Sequence, residues 1–336
     1  MSLRGRRRFF VVTAFGVLAV IVAVAVVVVA TRWSELRLRY EVWRFMHTSA
    51  EAGEAAKALW DRGEPGRRVL RAVAFQAELA PMDTRTLALR QAALGFLYSS
   101  EMNDDLARDE PELIRYVLFA RGLERDNALQ ALRRHSGKPG QALLDAAIET
   151  MLTDPNKEGS MQACLYLSYL GDRRALPALR RAAIESPHRS TRYYACCIGL
   201  CGDDTNGRVP HSMVDPANVP PLRRALADPE FSVRIAAGWT LSREYADPSG
   251  LAALVEGATH PNSNDALIRE GVAAIRDRRY VAALVRASET ATGPSAGAVR
   301  QGADEALGEI TGTDFSHNWR GWLESHRSEL PEQVEK

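Results

Sequence analysis

The sequence predicts an all-α fold, namely an α-solenoid of paired helices preceded by a single transmembrane helix. Three observations predict it. An uncharged run of twenty-two residues occupies 9–30. Similar helical hairpins recur between about 140 and 312, and a proline interrupts each hairpin after its first helix. Because stacked hairpins share a core that one hairpin cannot bury alone, such a period is typical of a solenoid.

The composition fits a folded chain that carries no strong electric field. Hydrophobic residues make up 46% of the 336 positions, and 43 basic against 42 acidic residues give a net charge of +1. So small an imbalance offers no long-range attraction for nucleic acid, which we therefore do not expect as a partner. The length suffices for one large domain or two ordinary domains.

The N-terminal segment predicts a membrane anchor. Residues 1–8 form a basic tail, and residues 9–30, as a helix rising about 1.5 Å per residue, would span roughly 33 Å of lipid bilayer. The run is longer than the apolar core of a cleavable signal. The denser arginines before it favour a cytoplasmic N-terminus and an extracytoplasmic C-terminal domain. These features predict a single-pass protein of the cell membrane.

Aligned leucines and helix-breaking dipeptides mark the repeats. Each of these dipeptides ends in proline, and we call them breakers. The leucines are Leu179, Leu222, Leu254 and Leu284. The breakers are Asp154-Pro155, Ser186-Pro187, Asp228-Pro229, His260-Pro261 and Gly293-Pro294. Proline cannot continue a helix and restricts the residue before it, so each breaker ends the first helix of its hairpin. The second helix is rich in alanine, which lets neighbouring helices approach closely.

These residues resemble the bacterial HEAT-repeat family, in particular the short HEAT-like units of phycobilisome lyases. The stretches that carry the resemblance are "RRALPALRRAAIESPHRSTRYYACCIGL", "PPLRRALADPEFSVRIAAGWTL" and "AVRQGADEALGEITG". The resemblance implies a ladder of Asp and Arg residues between successive units. Asp228 with Arg234 fits that structural role, and the same position is occupied by Arg192, Arg269 and Arg300. In the upstream copy Gln162 replaces the arginine.

The flanks of the solenoid, which we expect over 140–312, are less defined. Residues 31–139 show helical spacing of apolar residues, and they form either a helical stalk or diverged repeats. Residues 313–336 are expected to be a C-terminal capping segment and tail. There Trp319 and Trp322 share one helical face and would cover the exposed end of the last repeat.

The four cysteines leave two interpretations open. Cys164, Cys196, Cys197 and Cys201 match no zinc-site spacing. They either fill a helical core as small apolar residues or, in an oxidising compartment, allow a bridge from Cys164 to the later group.

A long loop is the candidate partner-binding site. Residues 202–218, "GDDTNGRVPHSMVDPAN", enlarge one connection between units. Insertions in solenoids project from an edge and often contact partners, although a tolerated loop without a role fits equally well. The candidate partner-binding residues are Asp203, Asp204, Arg208 and His211.

The sequence shows no catalytic, cofactor-binding or metal-binding constellation, and we predict no cofactor. None of the seven histidines is followed by Glu, so the paired ligands by which HEAT-fold hydroxylases bind two irons are missing. The sequence therefore predicts a membrane-anchored HEAT-repeat scaffold or adaptor, non-catalytic, that binds a protein partner. Two alternatives remain: an enzyme on a diverged HEAT scaffold, such as a lyase or metal-dependent modifier, and a purely structural envelope protein.

Overall fold

All regular structure in the described part of the chain is helical. The computed structural model describes residues 27, 33, 37–45, 47, 51–75, 84–98, 105–120, 123–133, 139–201, 213–312 and 319–332. These residues contain helices and turns and no β-strand. The all-α prediction is therefore confirmed.

The chain divides into two compact units, Met1–Leu97 and Tyr98–Lys336. In the first unit, three helices pack against one another: α1 (Ala52–Trp60), α2 (Glu64–Phe75) and α3 (Thr84–Leu97). Their apolar faces bury Leu59, Leu70 and Leu94.

The described residues of the second unit form six consecutive helical pairs and a final short helix. The pairs are α4 (Asp105–Phe119) with α5 (Leu123–Leu132), α6 (Gln141–Thr153) with α7 (Lys157–Leu170), α8 (Leu176–Glu185) with α9 (Arg189–Tyr194), α10 (Val219–Ala225) with α11 (Phe231–Tyr245), α12 (Leu251–Gly257) with α13 (Asp265–Ala273), and α14 (Val281–Thr290) with α15 (Ala296–Thr311). The first helices of the last five pairs each end two to four residues before the proline of a breaker, because proline cannot supply the amide that a continuing helix needs.

The pairs stack in two layers within this unit. First helices contact first helices, as α4 with α6, α6 with α8 and α8 with α10. Second helices contact second helices from α5 through α7, α9, α11 and α13 to α15. The aligned leucines Leu179, Leu222, Leu254 and Leu284 are all fully buried between the layers. Each pair thus covers the apolar face of the pair before it.

A π-turn at Ala195–Gly199 continues α9 and marks the middle of the stack. A π-turn shifts the helical hydrogen-bond pattern and leaves carbonyl groups without their usual partner. Thr240 in α11 donates to the carbonyl of Cys196 at 2.9 Å. The next pair therefore satisfies the carbonyl that the π-turn exposes, which fixes the register of the two second helices.

The final helix α16 (Trp319–His326) packs against α14. Trp319 is buried, and its indole N–H donates to Asp304 at 2.7 Å. Trp322 stacks on His326 with ring centroids 4.5 Å apart. Trp319 therefore lies against the last pair, whereas Trp322 packs along its own helix.

The prediction of a transmembrane anchor and a single-pass location must be corrected. Among the residues that the structure describes, no helix combines the length and the apolar character needed to cross a bilayer. Of the segment 9–30, only Val27 belongs to the described residues. The sequence argument rested on the length and the uncharged character of this run, together with the arginines beside it.

Candidate functional site

A cleft of about 630 Å³ lies between the first two helical pairs of the second unit. We call it the turn cleft. The last turns of α4 and α6 and the turn that follows α6 form its walls. The lining residues on which its chemistry depends are Leu118, Phe119, Arg125, Glu149, Thr153 and Asp154.

The breaker after α6 shapes one wall of the turn cleft. Asp154 leaves the helix with extended backbone, and its Oδ1 accepts the amide N–H of Asn156 at 2.9 Å. The side chain of Asn156 in turn accepts the amide N–H of Glu158 at 3.0 Å, which starts α7. Short polar side chains stabilise such turns and helix starts because they satisfy amides that have no helical partner.

Arg125 ties the two pairs together at the base of this wall. Its Nη1 donates to Oδ2 of Asp154, and its Nη2 donates to the carbonyl of Leu118 at 3.2 Å. A Cβ on Gly159 would collide with the same Oδ2 of Asp154, so the carboxylate approaches the α7 backbone closely. Both partners of the ion pair are largely buried, which makes the pair a rigid part of the cleft wall rather than a mobile surface contact.

The helices α4 and α6, which are the first helices of these two pairs, also contact each other directly. The hydroxyl of Thr150 in α6 forms a shared hydrogen bond, with the carbonyl of Ala146 in its own helix at 2.9 Å and with the carbonyl of Val117 in α4 at 3.1 Å. This bond holds the last turns of α4 and α6 side by side, with both C-terminal ends at the turn cleft. Because α5 and α7 begin four residues after α4 and α6 end, the partial negative charges of the two C-termini lie beside the partial positive charges of two N-termini.

Asp126, the residue that follows Arg125, is a buried acid. The side chain of Asp126 is 4% exposed, and its Oδ1 has no hydrogen-bond partner in the described structure. Burial is the main cause that raises the pKa of Asp126 to about 6, and the nearby charges of Glu158 and Asp154 raise it further while Arg125 opposes them. An acid with this pKa changes its charge close to neutral pH.

Phe119 stands at the mouth of the turn cleft. Its side chain is 74% exposed, and among the described residues of the second unit it is the one large hydrophobic side chain that solvent reaches to this extent. Phe119 is the last residue of α4. An exposed ring beside a concave surface offers apolar contact area to a partner.

The Asp and Arg residues expected to form a ladder do not pair as Asp228 with Arg234. Asp228 pairs with Arg192, at 2.7 Å from Nε and 3.1 Å from Nη2. Arg234 instead donates to the backbone carbonyl of Asp228 at 2.8 Å and to the carboxylate of Glu256 at 2.7 Å. The pair of Arg125 with Asp154 repeats the arrangement of Arg192 with Asp228, since in both an arginine of one pair reaches the breaker aspartate of the next.

The other two ladder arginines lie in the last pairs. Arg269 is 3.8 Å from the carboxylate of Glu305. Arg300 donates to the carbonyl of Ala291 at 3.0 Å. Arg192 and Arg234 likewise donate to carbonyls at the end of the first helix of their own pair, at Ser186 and Asp228. The recurring arginine therefore closes a first helix in three of these pairs.

The long loop is described only at its C-terminal end. Asp203, Asp204, Arg208 and His211 lie outside the described residues, so a partner site there stays a prediction. Where the described chain resumes, Asn218 is fully buried. Its amide donates to the carbonyl of Met213 at 3.0 Å and to Tyr245 Oη at 2.8 Å, and its Oδ1 accepts from Arg180 at 2.7 Å.

The four cysteines are free and buried. Burial raises the pKa of Cys164 to about 12 and raises the pKa values of Cys196 and Cys197 as well. Thiols in this state stay protonated and are poor nucleophiles. They fill the core of the second unit, as one of the two interpretations of the sequence has it. The described residues contain no group of three His, Cys, Asp or Glu side chains that could hold a metal ion.

A set of aspartates escaped the sequence analysis. Asp172, Asp215, Asp247 and Asp277 each accept, through Oδ1, the amide N–H of the residue two positions later. Each begins the short turn that leads into a first helix. Their spacing gives the signal that could have found them, since each precedes one of the four aligned leucines by seven residues.

Comparison with known proteins adds little to this picture. No family model matches the chain, and no curated protein matches it. Among the solved structures, human deoxyhypusine hydroxylase in complex with glycerol is similar, with 16% sequence identity over 83% of this chain and 99% of that chain and a TM-score of 0.31. That TM-score is too low to carry an argument about function. Membership of the bacterial HEAT-repeat family is accordingly not shown, whereas the all-helical architecture is.

Proposed function

We propose that this chain is a non-catalytic helical-repeat scaffold that binds a segment of a partner protein in the turn cleft. The observation that carries the proposal is Phe119, an aromatic side chain 74% exposed at the mouth of a cleft of about 630 Å³. An aromatic ring beside a concave surface offers a partner a large apolar contact area at low cost in side-chain entropy.

The walls of the cleft support binding rather than chemistry. The ion pair of Arg125 with Asp154 and the bond of Thr150 to the carbonyl of Val117 hold both pairs in place. A preformed cleft costs less conformational entropy when a partner binds. Helical-repeat proteins commonly bind extended segments along surfaces created by neighbouring repeats.

Panning of a random dodecapeptide library on phage tests this proposal. The immobilised full-length chain should enrich a set of peptides, and Phe119→Ser should abolish that enrichment. Trp43→Ser is the matched control, because Trp43 is also an exposed aromatic and does not line the turn cleft. Circular dichroism should show that both variants keep the wild-type helix content.

Two results would contradict the proposal. One is enrichment of the same peptides by wild-type protein and by Phe119→Ser. The other is the absence of any enriched peptide on correctly folded wild-type protein.

A further inference from the structure

We propose that the turn cleft selects partner segments through a basic side chain, Arg or Lys, which enters the cleft beside Phe119. This inference rests on the proposed function, because it names the chemistry of the segment that the cleft binds.

The first argument is the charge of the cleft wall. Within the described part of the chain, three charged side chains line it: Glu149, Asp154 and Arg125. Arg125 is engaged by Asp154 and by the carbonyl of Leu118, so these two opposite charges compensate each other. Glu149 is exposed and forms no ion pair within the described structure. One carboxylate thus remains available for a cation.

The second argument is the pair of helix ends. The helices α4 and α6, of 15 and 13 residues, both finish at the turn cleft. The helices α5 and α7 begin there too, four residues after these ends, so roughly half a negative charge at each C-terminus lies beside half a positive charge at each N-terminus. The helix ends therefore leave the carboxylate of Glu149 as the net charge that attracts ammonium or guanidinium groups.

The third argument concerns Phe119. The face of an aromatic ring attracts a cation that approaches within about 6 Å of its centre. The long aliphatic stem of Lys or Arg can meanwhile pack on Leu118 and Phe119, as such stems do on apolar surface. The cleft therefore offers both halves of a basic side chain a suitable environment.

An anionic segment fits the turn cleft poorly. Among the described residues that line the cleft, the one basic side chain is that of Arg125. It is already paired with Asp154, and an incoming carboxylate would have to displace this largely buried partner. Removing one partner from a buried ion pair is costly. An acidic segment would also face the carboxylate of Glu149.

The residue composition of the peptides enriched by panning tests this inference. We expect Arg and Lys together to rise at least about threefold over the unselected library at one fixed position of the motif. Panning on Glu149→Gln should remove this preference. Glu185→Gln is the matched control, because Glu185 holds the equivalent repeat position in "AAIES" and does not line the cleft.

A direct measurement follows with one enriched peptide labelled with fluorescein. Replacing its basic residue by citrulline, which is neutral and similar in shape to arginine, should weaken binding about fivefold in fluorescence anisotropy. The same replacement should have little effect on Glu149→Gln protein, because the charge partner is gone. Binding of the basic peptide should also weaken as sodium chloride is raised.

The outcomes separate this inference from the proposed function. If peptides depend on Phe119 but show no basic preference, or if citrulline binds as well as arginine, the inference is overturned and the proposed function stands. If no enriched peptide depends on Phe119, both fail. A basic preference that Glu185→Gln removes as strongly as Glu149→Gln would also overturn the assignment to this cleft.

Discussion

Arg192 and Asp228 form a two-pronged ion pair that joins one helical pair to the next, with nitrogen–oxygen distances of 2.7 and 3.1 Å. The arginine lies in α9 and the aspartate in the breaker after α10. The two side chains are 12% and 6% exposed, respectively. Their contact crosses the boundary between repeats, so it stabilises the stacking of pairs rather than either pair alone.

Asp228→Asn tests this contact. The amide can still accept the N–H of Glu230, as Asp228 does at 2.9 Å, but it leaves the guanidinium of Arg192 without a counter-charge. We expect the free energy of unfolding in urea to fall by about 3 kcal/mol, because removing one partner of a buried pair strands the other charge. Glu230→Gln is the control, since the pair of Arg189 with Glu230 is exposed and should contribute less than about 1 kcal/mol. Equal effects of the two variants would contradict the role of the pair.

Asn218→Leu tests the buried polar centre at the end of the long loop. Leucine has a similar size but leaves Arg180 Nε and the carbonyl of Met213 without the bonds that Asn218 provides. We expect a loss of about 3 kcal/mol in the free energy of unfolding, because buried polar groups without partners keep their full desolvation cost. Tyr245→Phe removes a hydroxyl that donates to the carbonyl of Leu200 and accepts from the amide of Asn218. It should cost less, about 1–2 kcal/mol, because Asn218 keeps its bonds to Arg180 and to Met213. A ranking in the opposite order would refute this account.

Asp126→Asn tests the buried acid. The pKa of Asp126 rises from 3.8 in the unfolded chain to about 6 in the native protein, mainly through burial. Between these values the native state binds more protons, so the contribution of Asp126 to stability falls as pH rises through this window. The free energy of unfolding of Asp126→Asn minus that of wild type should therefore be larger at pH 7 than at pH 4, by about 1–2 kcal/mol. Urea unfolding at both pH values measures the difference, and a pH-independent effect would argue against a raised pKa.

Gly250→Ala tests the close approach of two backbones. A Cβ on Gly250 would touch the Cα of Gly238 in α11 and lie 2.6 Å from its carbonyl oxygen. Because backbone cannot move aside cheaply, we expect a loss of about 2–3 kcal/mol in the free energy of unfolding. Gly297→Ala is the control, since nothing lies within 4 Å of that added Cβ. It should instead stabilise α15 by about 0.5 kcal/mol. Tolerance of alanine at Gly250 would contradict the packing described here.

The helical pairs could be predicted because their signals are local. The aligned leucines, from Leu179 to Leu284, and the prolines of the breakers fix where each first helix lies and where it ends. The partner of Asp228 could not be chosen in this way. Arg234 is six residues away in sequence, but its guanidinium turns to the carbonyl of Asp228 and to Glu256, while the carboxylate faces Arg192 of the preceding pair. Which neighbour a side chain faces depends on the stacking, which local spacing does not encode.

The turn cleft could not be found from sequence for a related reason. Its first wall comes from α4 and α5, where the sequence lacks the aligned leucine and the proline breaker of the later copies. Arg125 repeats the role of Arg192. The helix before it, however, ends at Phe119 and no proline breaker follows. Only the packing of α4 on α6 brings Phe119, Glu149 and Asp154 to one surface.

Hydrogen exchange measured by mass spectrometry tests most directly whether the turn cleft is a protein-binding site. The full-length chain is compared with and without a saturating amount of one peptide enriched by panning. The account predicts slower exchange in peptides that cover residues 116–126 and 149–156, and unchanged exchange across 219–229, the corresponding turn of a later pair. Protection of 219–229 without protection of 116–126 and 149–156 would contradict it.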